Sequence, residues 1–252
     1  PALSFINYLL EDFGDEWVTK YMFHYRWYFE EDANNASTIL PLSDLATNMD
    51  DGTLKEVKKM IHDRQHGRLW VVGSNDTTAK LIDSSYRRFV KLMDDHLSVS
   101  RFLFGEKPSS ADFAIYGQLT QLIGFDPTSR RIASEDSLRL VSWVDVMADL
   151  SGHDVNNSNW TSLEDSPPSL KEIMKEFGQM YVPALLANAK AIMEGDETWE
   201  TEIDGSTWKQ KAFPYQAKCL KWIKEEFNTL SKNDKTRIKT FLEGTGCEAM
   251  LD

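Results

Sequence analysis

The chain has 252 residues, 41% of them apolar and 12% aromatic, which excludes a disordered polymer, and no apolar run approaches the ~18 residues that a membrane-spanning helix needs. Its 28 Lys and Arg stand against 40 Asp and Glu, for a net charge of −12. That balance repels phosphate backbones and anionic lipid surfaces, so neither nucleic acid nor a membrane is expected as a partner. Only Cys219 and Cys247 occur. Without a CxxC pair they read as free thiols in a reducing, cytoplasmic compartment. The sequence opens on Pro1 and shows no basic segment followed by an apolar one, so it reads as a piece of something longer, without a signal peptide.

Residues from about Ala2 to Glu31 carry unbroken helical periodicity. The stripe Val18, Met22, Tyr25, Phe29 should face a core. A second stripe, Trp17, Tyr21, His24, Tyr28, is aromatic with a polar tip at each position. The polar stretch 32–37 predicts a loop, Ser43 to Asn48 a short helix, and Asp50-Asp51-Gly52 a turn before a helix over Thr53 to His66. A longer helix is predicted from Asp76 to Ser100. In Lys107-Pro108-Ser109-Ser110-Ala111-Asp112-Phe113, Ser109 and Asp112 have the spacing of a capping box, with Pro108 and Phe113 placed for a hydrophobic staple. The helix after it, to about Ile123, is apolar nearly all round and predicts a central position. Asp126-Pro127 reads as a turn, Leu138 to Leu150 as a helix, 151–166 as a loop, and Ser169 to Met193 as a helix that Pro183 should kink or split. Asp204-Gly205 between alternating runs predicts a type I′ hairpin over 198–211, pairing Ile203 with Ser206, Thr201 with Trp208 and Trp199 with Gln210. Helices over Pro214 to Leu230 and up to Gly244 complete an all-α bundle with one small hairpin.

Few residues read as chemistry. His62 and His66 stand at i, i+4, a zinc-compatible spacing, but Asp63 sits where a zincin needs Glu and no third ligand is identifiable, so a solvated helix end is the stronger reading and no metal is expected. No GxSxG elbow or Gly-rich phosphate loop occurs. The stripe Trp17, Tyr21, His24, Tyr28 keeps two readings open: packing beneath another helix, or the half-apolar wall of a pocket.

The segment Phe104-Gly105-Glu106-Lys107-Pro108-Ser109-Ser110-Ala111-Asp112-Phe113-Ala114-Ile115-Tyr116-Gly117 resembles the capped sixth helix of the glutathione transferase superfamily. The preceding order of helices, with Asp15-Glu16-Trp17 and Tyr25-Arg26-Trp27 in the first, is similar to the helical C-terminal domain of bacterial-type members. The resemblance implies one domain over 1–252, with a core over 1–150 and an extension over 151–252. It implies a small hydrophobic acceptor held by Trp17, Tyr21, His24, Tyr25 and Tyr28, with Arg26 beside them, and a homodimer. In that family glutathione is bound by an N-terminal thioredoxin-like domain carrying a cis-proline and an activating Tyr, Ser or Cys, none of which precedes the first helix here. The chain is therefore expected to have no catalytic residue and no cofactor of its own, with glutathione a co-substrate only beside such a domain. The alternative is a non-catalytic ligand- or protein-binding module on the same scaffold.

Overall fold

The first predicted helix forms, but with two interruptions. In the computed structural model, which describes residues 1–153 and 160–251, α1 (Ala2–Phe13) runs through a π turn (Gly14–Val18) into α2 (Thr19–Tyr28). Phe29 leaves helical geometry at φ −89° and ψ 129°, and the chain re-enters a helix at once as α3 (Glu30–Asp44). The loop expected over 32–37 and the short helix over 43–48 are both corrected by α3. Its polar side chains bond the turn behind them rather than breaking it: Thr38 Oγ1 donates to the Asn34 carbonyl at 2.7 Å, and Ser37 Oγ to the same oxygen at 3.3 Å. Ala33 and Ala36 pack with Trp27 and Leu69 in a small second core.

The turn expected at Asp50-Asp51-Gly52 is instead the start of α4 (Asp51–His66), where Asp50 caps the helix by accepting from Thr53 N at 3.0 Å. After a 3-10 turn at Leu69–Val72, α5 (Ala79–Leu97) buries Leu81, Tyr86, Phe89, Val90 and Met93 as its periodicity predicts.

The capping box opens α6 (Ser110–Leu122) with both reciprocal bonds in place. Ser109 Oγ accepts from Asp112 N at 3.4 Å, and Asp112 Oδ2 accepts from Ser109 N at 2.8 Å. The other carboxylate oxygen accepts from Leu103 N at 3.0 Å, so one buried side chain also fixes the loop entering the helix. Ser109→Ala should cost about 0.5–2 kcal/mol in the urea unfolding free energy. An unchanged midpoint would mean that the cap contributes nothing. The all-round burial expected for α6 is corrected: it packs on α1, α2 and the π turn, yet Phe113 and Gly117 stay exposed. With Phe113 about half exposed, it does not serve as the buried half of a staple.

Asp126-Pro127 is also corrected, from a turn to the N-cap and first residue of α7 (Pro127–Asp136), where proline's missing N–H costs nothing. The Thr128 N–H donates to Asp32 at 2.9 Å, tying α7 to α3. α8 (Leu138–Ala148) forms as predicted. The loop expected over 151–166 falls partly on 154–159, outside the described residues.

α9 (Pro168–Glu194) continues through Pro183 rather than splitting there. Tertiary burial offsets the lost hydrogen bond, because Phe177, Met180, Tyr181 and Leu185 around it are all in the core. The hairpin of β1 (Thr198–Ile203) and β2 (Ser206–Lys211) has the predicted register. Asp204 and Gly205 take φ of 48° and 72°, as a type I′ turn requires. Trp199, Ile203, Trp208 and Gln210 face inward, while Glu200 and Lys209 pair across the outer face at 3.9 Å. α10 (Pro214–Thr229) lies on α9, and α11 (Lys232–Leu242) packs on α1 and α9. A single hydrophobic cluster reaches from Ala2 to Met250, so the segments 1–150 and 151–252 share one core. Among the described residues no helix is long and apolar enough to cross a membrane.

Candidate functional site

The π turn is where the chemistry-bearing side chains concentrate. Gly14 brings it hard against α6, since a Cβ there would lie 3.0 Å from both Ala114 Cβ and Ile115 N. A π turn adds a residue to one helical turn and rotates the face presented by the helix beyond it, and such turns recur at functional sites.

Three of the five residues expected to hold an acceptor, Trp17 and Tyr21 of the aromatic stripe and Tyr25 beside it, lie in the core with their polar tips matched. Trp17 packs its ring 5.4 Å from Trp208 and 5.8 Å from Tyr181, and its Nε1 donates to Tyr21 Oη at 3.0 Å. Tyr21 Oη and Ser85 Oγ are 2.6 Å apart, and Ser85 Oγ donates to Glu176 at 2.6 Å, so Tyr21 is the donor to Ser85. Tyr25 donates to Asp83 at 2.6 Å. Burial, the largest cause for both phenols, drives their pKa values upward, so both stay neutral.

His24 and Tyr28 differ from these three. His24 is fully buried, its Nδ1 is 2.7 Å from Ser74 Oγ, and its Nε2 has no hydrogen-bond partner. Burial lowers its pKa to about 4, so the ring is neutral. The Ser74 N–H donates to the Leu69 carbonyl and is not free to hold an oxyanion. The pair therefore acts as a tether between α2 and the 73–76 loop. Tyr28 stacks on His24 at 4.7 Å, donates to Asp76 at 3.0 Å, and is only partly buried. Arg26 turns away from the stripe, making a two-pronged ion pair with Asp126 at 2.9 and 3.0 Å.

The acidic pairs Glu11-Asp12 and Asp15-Glu16 read from the sequence as solvated faces, but Asp12 and Glu16 are raised chiefly by burial, and with Lys20 they stand four residues apart across the π turn, along one helical line. Asp12 accepts from the Tyr181 hydroxyl at 2.8 Å. Burial raises its pKa to about 7, offset in part by that bond and reinforced by Glu16. Glu16 accepts from Gln216 at 3.2 Å, and burial raises it too. Lys20 is almost completely buried under the hairpin, 3.5 Å from Gln210 Oε1, and burial lowers its pKa to about 8. A carboxyl raised and an amine lowered toward neutrality by burial carry the kind of shift that candidate acid–base groups show.

Because the folded Asp12 keeps its proton where the unfolded carboxyl, at 3.8, has lost it, its contribution to stability is complete below pH 3.8 and lost as the pH rises to about 7. Asp12→Asn should flatten that fall in thermal midpoint. Asp112 and Asp126, both raised to about 6 chiefly by burial, leave a residual slope of the same sign. An identical pH profile in the variant would remove Asp12 from the account.

The stripe lines neither of two open grooves on the surface. One, of about 450 Å3, is bordered by Leu3, Asn7, Phe104, Ser110 and Trp160. The other, of about 550 Å3, lies between the start of α9 and α11, against Pro167, Lys171 and Phe241. His62 and His66 stack 5.9 Å apart, with His62 Nε2 3.7 Å from Glu30 and His66 Nδ1 3.0 Å from the Trp27 carbonyl. The His66 contact fastens α4 to the end of α2. Among the described residues no three His, Cys, Asp or Glu groups are placed to hold a metal ion. Both cysteines are free and buried, and burial raises both thiols, Cys247 to about 12. Comparison with family models, curated proteins and solved structures gave no match.

Proposed function

We propose that this chain is the acceptor-holding helical domain of a glutathione transferase-like protein. The observation that carries the reading is the complete capping box at the start of α6, with Asp112 bound to both Ser109 and Leu103 and α1 packed along the same helix. In the reaction this implies, the glutathione thiol loses its proton in a thioredoxin-like domain. The thiolate sulfur then bonds to an electrophilic carbon and expels the leaving group, while this domain supplies orientation and an apolar surface. Within the stripe, the partly buried Tyr28 is the part left to meet an acceptor, with the buried His24 ring stacked against it. Trp17, Tyr21 and Tyr25 back them from the core.

The test is calorimetric titration of glutathione into the chain, with a conjugation assay on the same sample. The reading expects neither binding nor turnover from the chain alone, and turnover once a thioredoxin-like domain is joined ahead of Pro1. Binding with turnover by the chain alone would overturn it.

A second reading, a non-catalytic binding module on the same scaffold, is favoured by the internal satisfaction of Trp17, Tyr21 and Tyr25, which leaves little of the stripe for a substrate. Absence of turnover in the joined protein would select it.

A further inference from the structure

Three aromatic rings stand uncovered where the hairpin hands the chain to α10. Phe213, Tyr215 and Trp222 are each between 43% and 48% exposed, and it is their clustering, not the exposure of any one ring, that marks an interaction surface. Tyr215 and Trp222 sit 6.0 Å apart at 81°, forming two walls of a corner, and Phe213 extends it at 6.2 Å from Tyr215. The corner is built rather than incidental. Asn188, fully buried in α9, clamps Phe213 by accepting from its N–H at 2.7 Å and donating to its carbonyl at 2.9 Å. Pro214 then fixes the first residue of α10. Tyr215 and Trp222 lie seven residues apart, on one face of that helix.

The flank is acidic. Gln216, next to Tyr215, holds the Glu16 carboxylate at 3.2 Å. The Tyr215 phenol is raised by the Cys219 sulfur, by partial burial, and by Glu16, Asp12 and Asp15, so three carboxyl groups are within electrostatic reach of the ring. Elsewhere some rings have cations of the chain itself beside them: Lys211 stands 4.6 Å over Trp70, which is still half exposed, and Lys235 and Lys239 flank the buried Phe227. Among the described residues, the cation–ring pairs do not include Phe213, Tyr215 or Trp222. Lys218 stands three residues after Tyr215 and four before Trp222, on their helix face, yet is not among those cation–ring pairs, and Lys221 pairs with Glu225 at 3.6 Å.

We propose that Phe213, Tyr215 and Trp222 form a surface site for the methylated ammonium of a lysine side chain on a partner protein. Perpendicular rings present their negative faces to such a cation, and its methyl groups weaken its hydration, so little is lost on leaving water. Because the three rings are nearly half exposed, a small free solute among them would leave most of its surface wet, which argues for a cation carried on a polypeptide. The inference is independent of the glutathione reading and uses none of its residues.

The test is titration of the chain with a short peptide carrying trimethyl-lysine, followed by ligand-observed NMR at constant ionic strength. The expected result is saturable binding, weakened about threefold or more in the unmethylated peptide and in a peptide with the neutral tert-butyl isostere. Tyr215→Ala and Trp222→Ala should each weaken it similarly, and the double variant should abolish it, each variant being shown by circular dichroism to remain folded at the temperature of the titration. Equal binding of the neutral isostere, or binding that survives the double variant, would overturn the proposal. Free choline binding as tightly as the peptide would overturn the assignment to a protein partner.

Discussion

Replacing Trp208 with alanine should lower the unfolding free energy by about 3–5 kcal/mol, the range for emptying a fully buried large aromatic site. Trp208 is completely enclosed, with Trp17 5.4 Å away on one side. On the other side is Gly73, where even a Cβ would fall 2.4 Å from the indole. Its Nε1 donates to Gln210 Oε1 at 3.1 Å, and the Gln210 amide in turn donates to the Val71 carbonyl. Losing the indole thus opens a cavity and also frees the glutamine that ties β2 to the 69–72 turn. A two-stranded hairpin is marginal in water by itself, so β1 and β2 depend on this contact and on Trp199 and Ile203. The measurement is urea unfolding of Trp208→Ala beside Trp208→Phe, with amide exchange over 198–211. The phenylalanine should recover most of the loss, and the alanine variant should exchange the hairpin amides faster than those of α9. A loss below about 1 kcal/mol would show that the indole is not a principal anchor of the hairpin.

Local rules carried further for this fold than for its site. The hairpin register came from Asp204-Gly205 and two-residue alternation alone, and the α6 capping box from four residues, because each signal is complete within its own segment. α3 and α7 escaped because a polar run satisfied by its own preceding turn, as at Ser37 and Thr38, reads like a loop, and because Asp32 binds the start of α7, a bond with no local signature. The π turn escaped too: it is where Gly14 comes close against α6, a neighbour about a hundred residues away in sequence. The stripe Trp17, Tyr21, His24, Tyr28 was visible as a face, but periodicity does not say whether a face meets a ligand or other side chains. Ser85, Asp83 and Ser74 settle the polar tips of Tyr21, Tyr25 and one His24 nitrogen, and none was legible from the helix that carries the stripe.

The same buried chain makes Arg88 and Glu176 unequal partners. Glu176 is nearly inaccessible, and its carboxylate accepts from Ser85 Oγ at 2.6 Å and from Arg88 at 2.8 and 3.1 Å. Arg88 is about 37% exposed on its side chain and also reaches Asp204 at 3.0 Å. Removing the arginine strands a carboxylate inside the core, whereas removing the carboxylate leaves the guanidinium both water and a second acid. Arg88→Met should therefore cost about 3–5 kcal/mol, the range for a buried charge deprived of its partner. Glu176→Gln should cost about 1–3 kcal/mol, because Arg88 keeps other partners and the amide oxygen can still accept from Ser85. The double variant Arg88→Met, Glu176→Leu should be more stable than Arg88→Met alone, since no unpaired charge is left in the core. Urea unfolding of the three variants measures the asymmetry. If Glu176→Gln costs as much as Arg88→Met, the hydrogen-bond chain from Trp17 through Tyr21 and Ser85, rather than the buried charge, is what the core depends on.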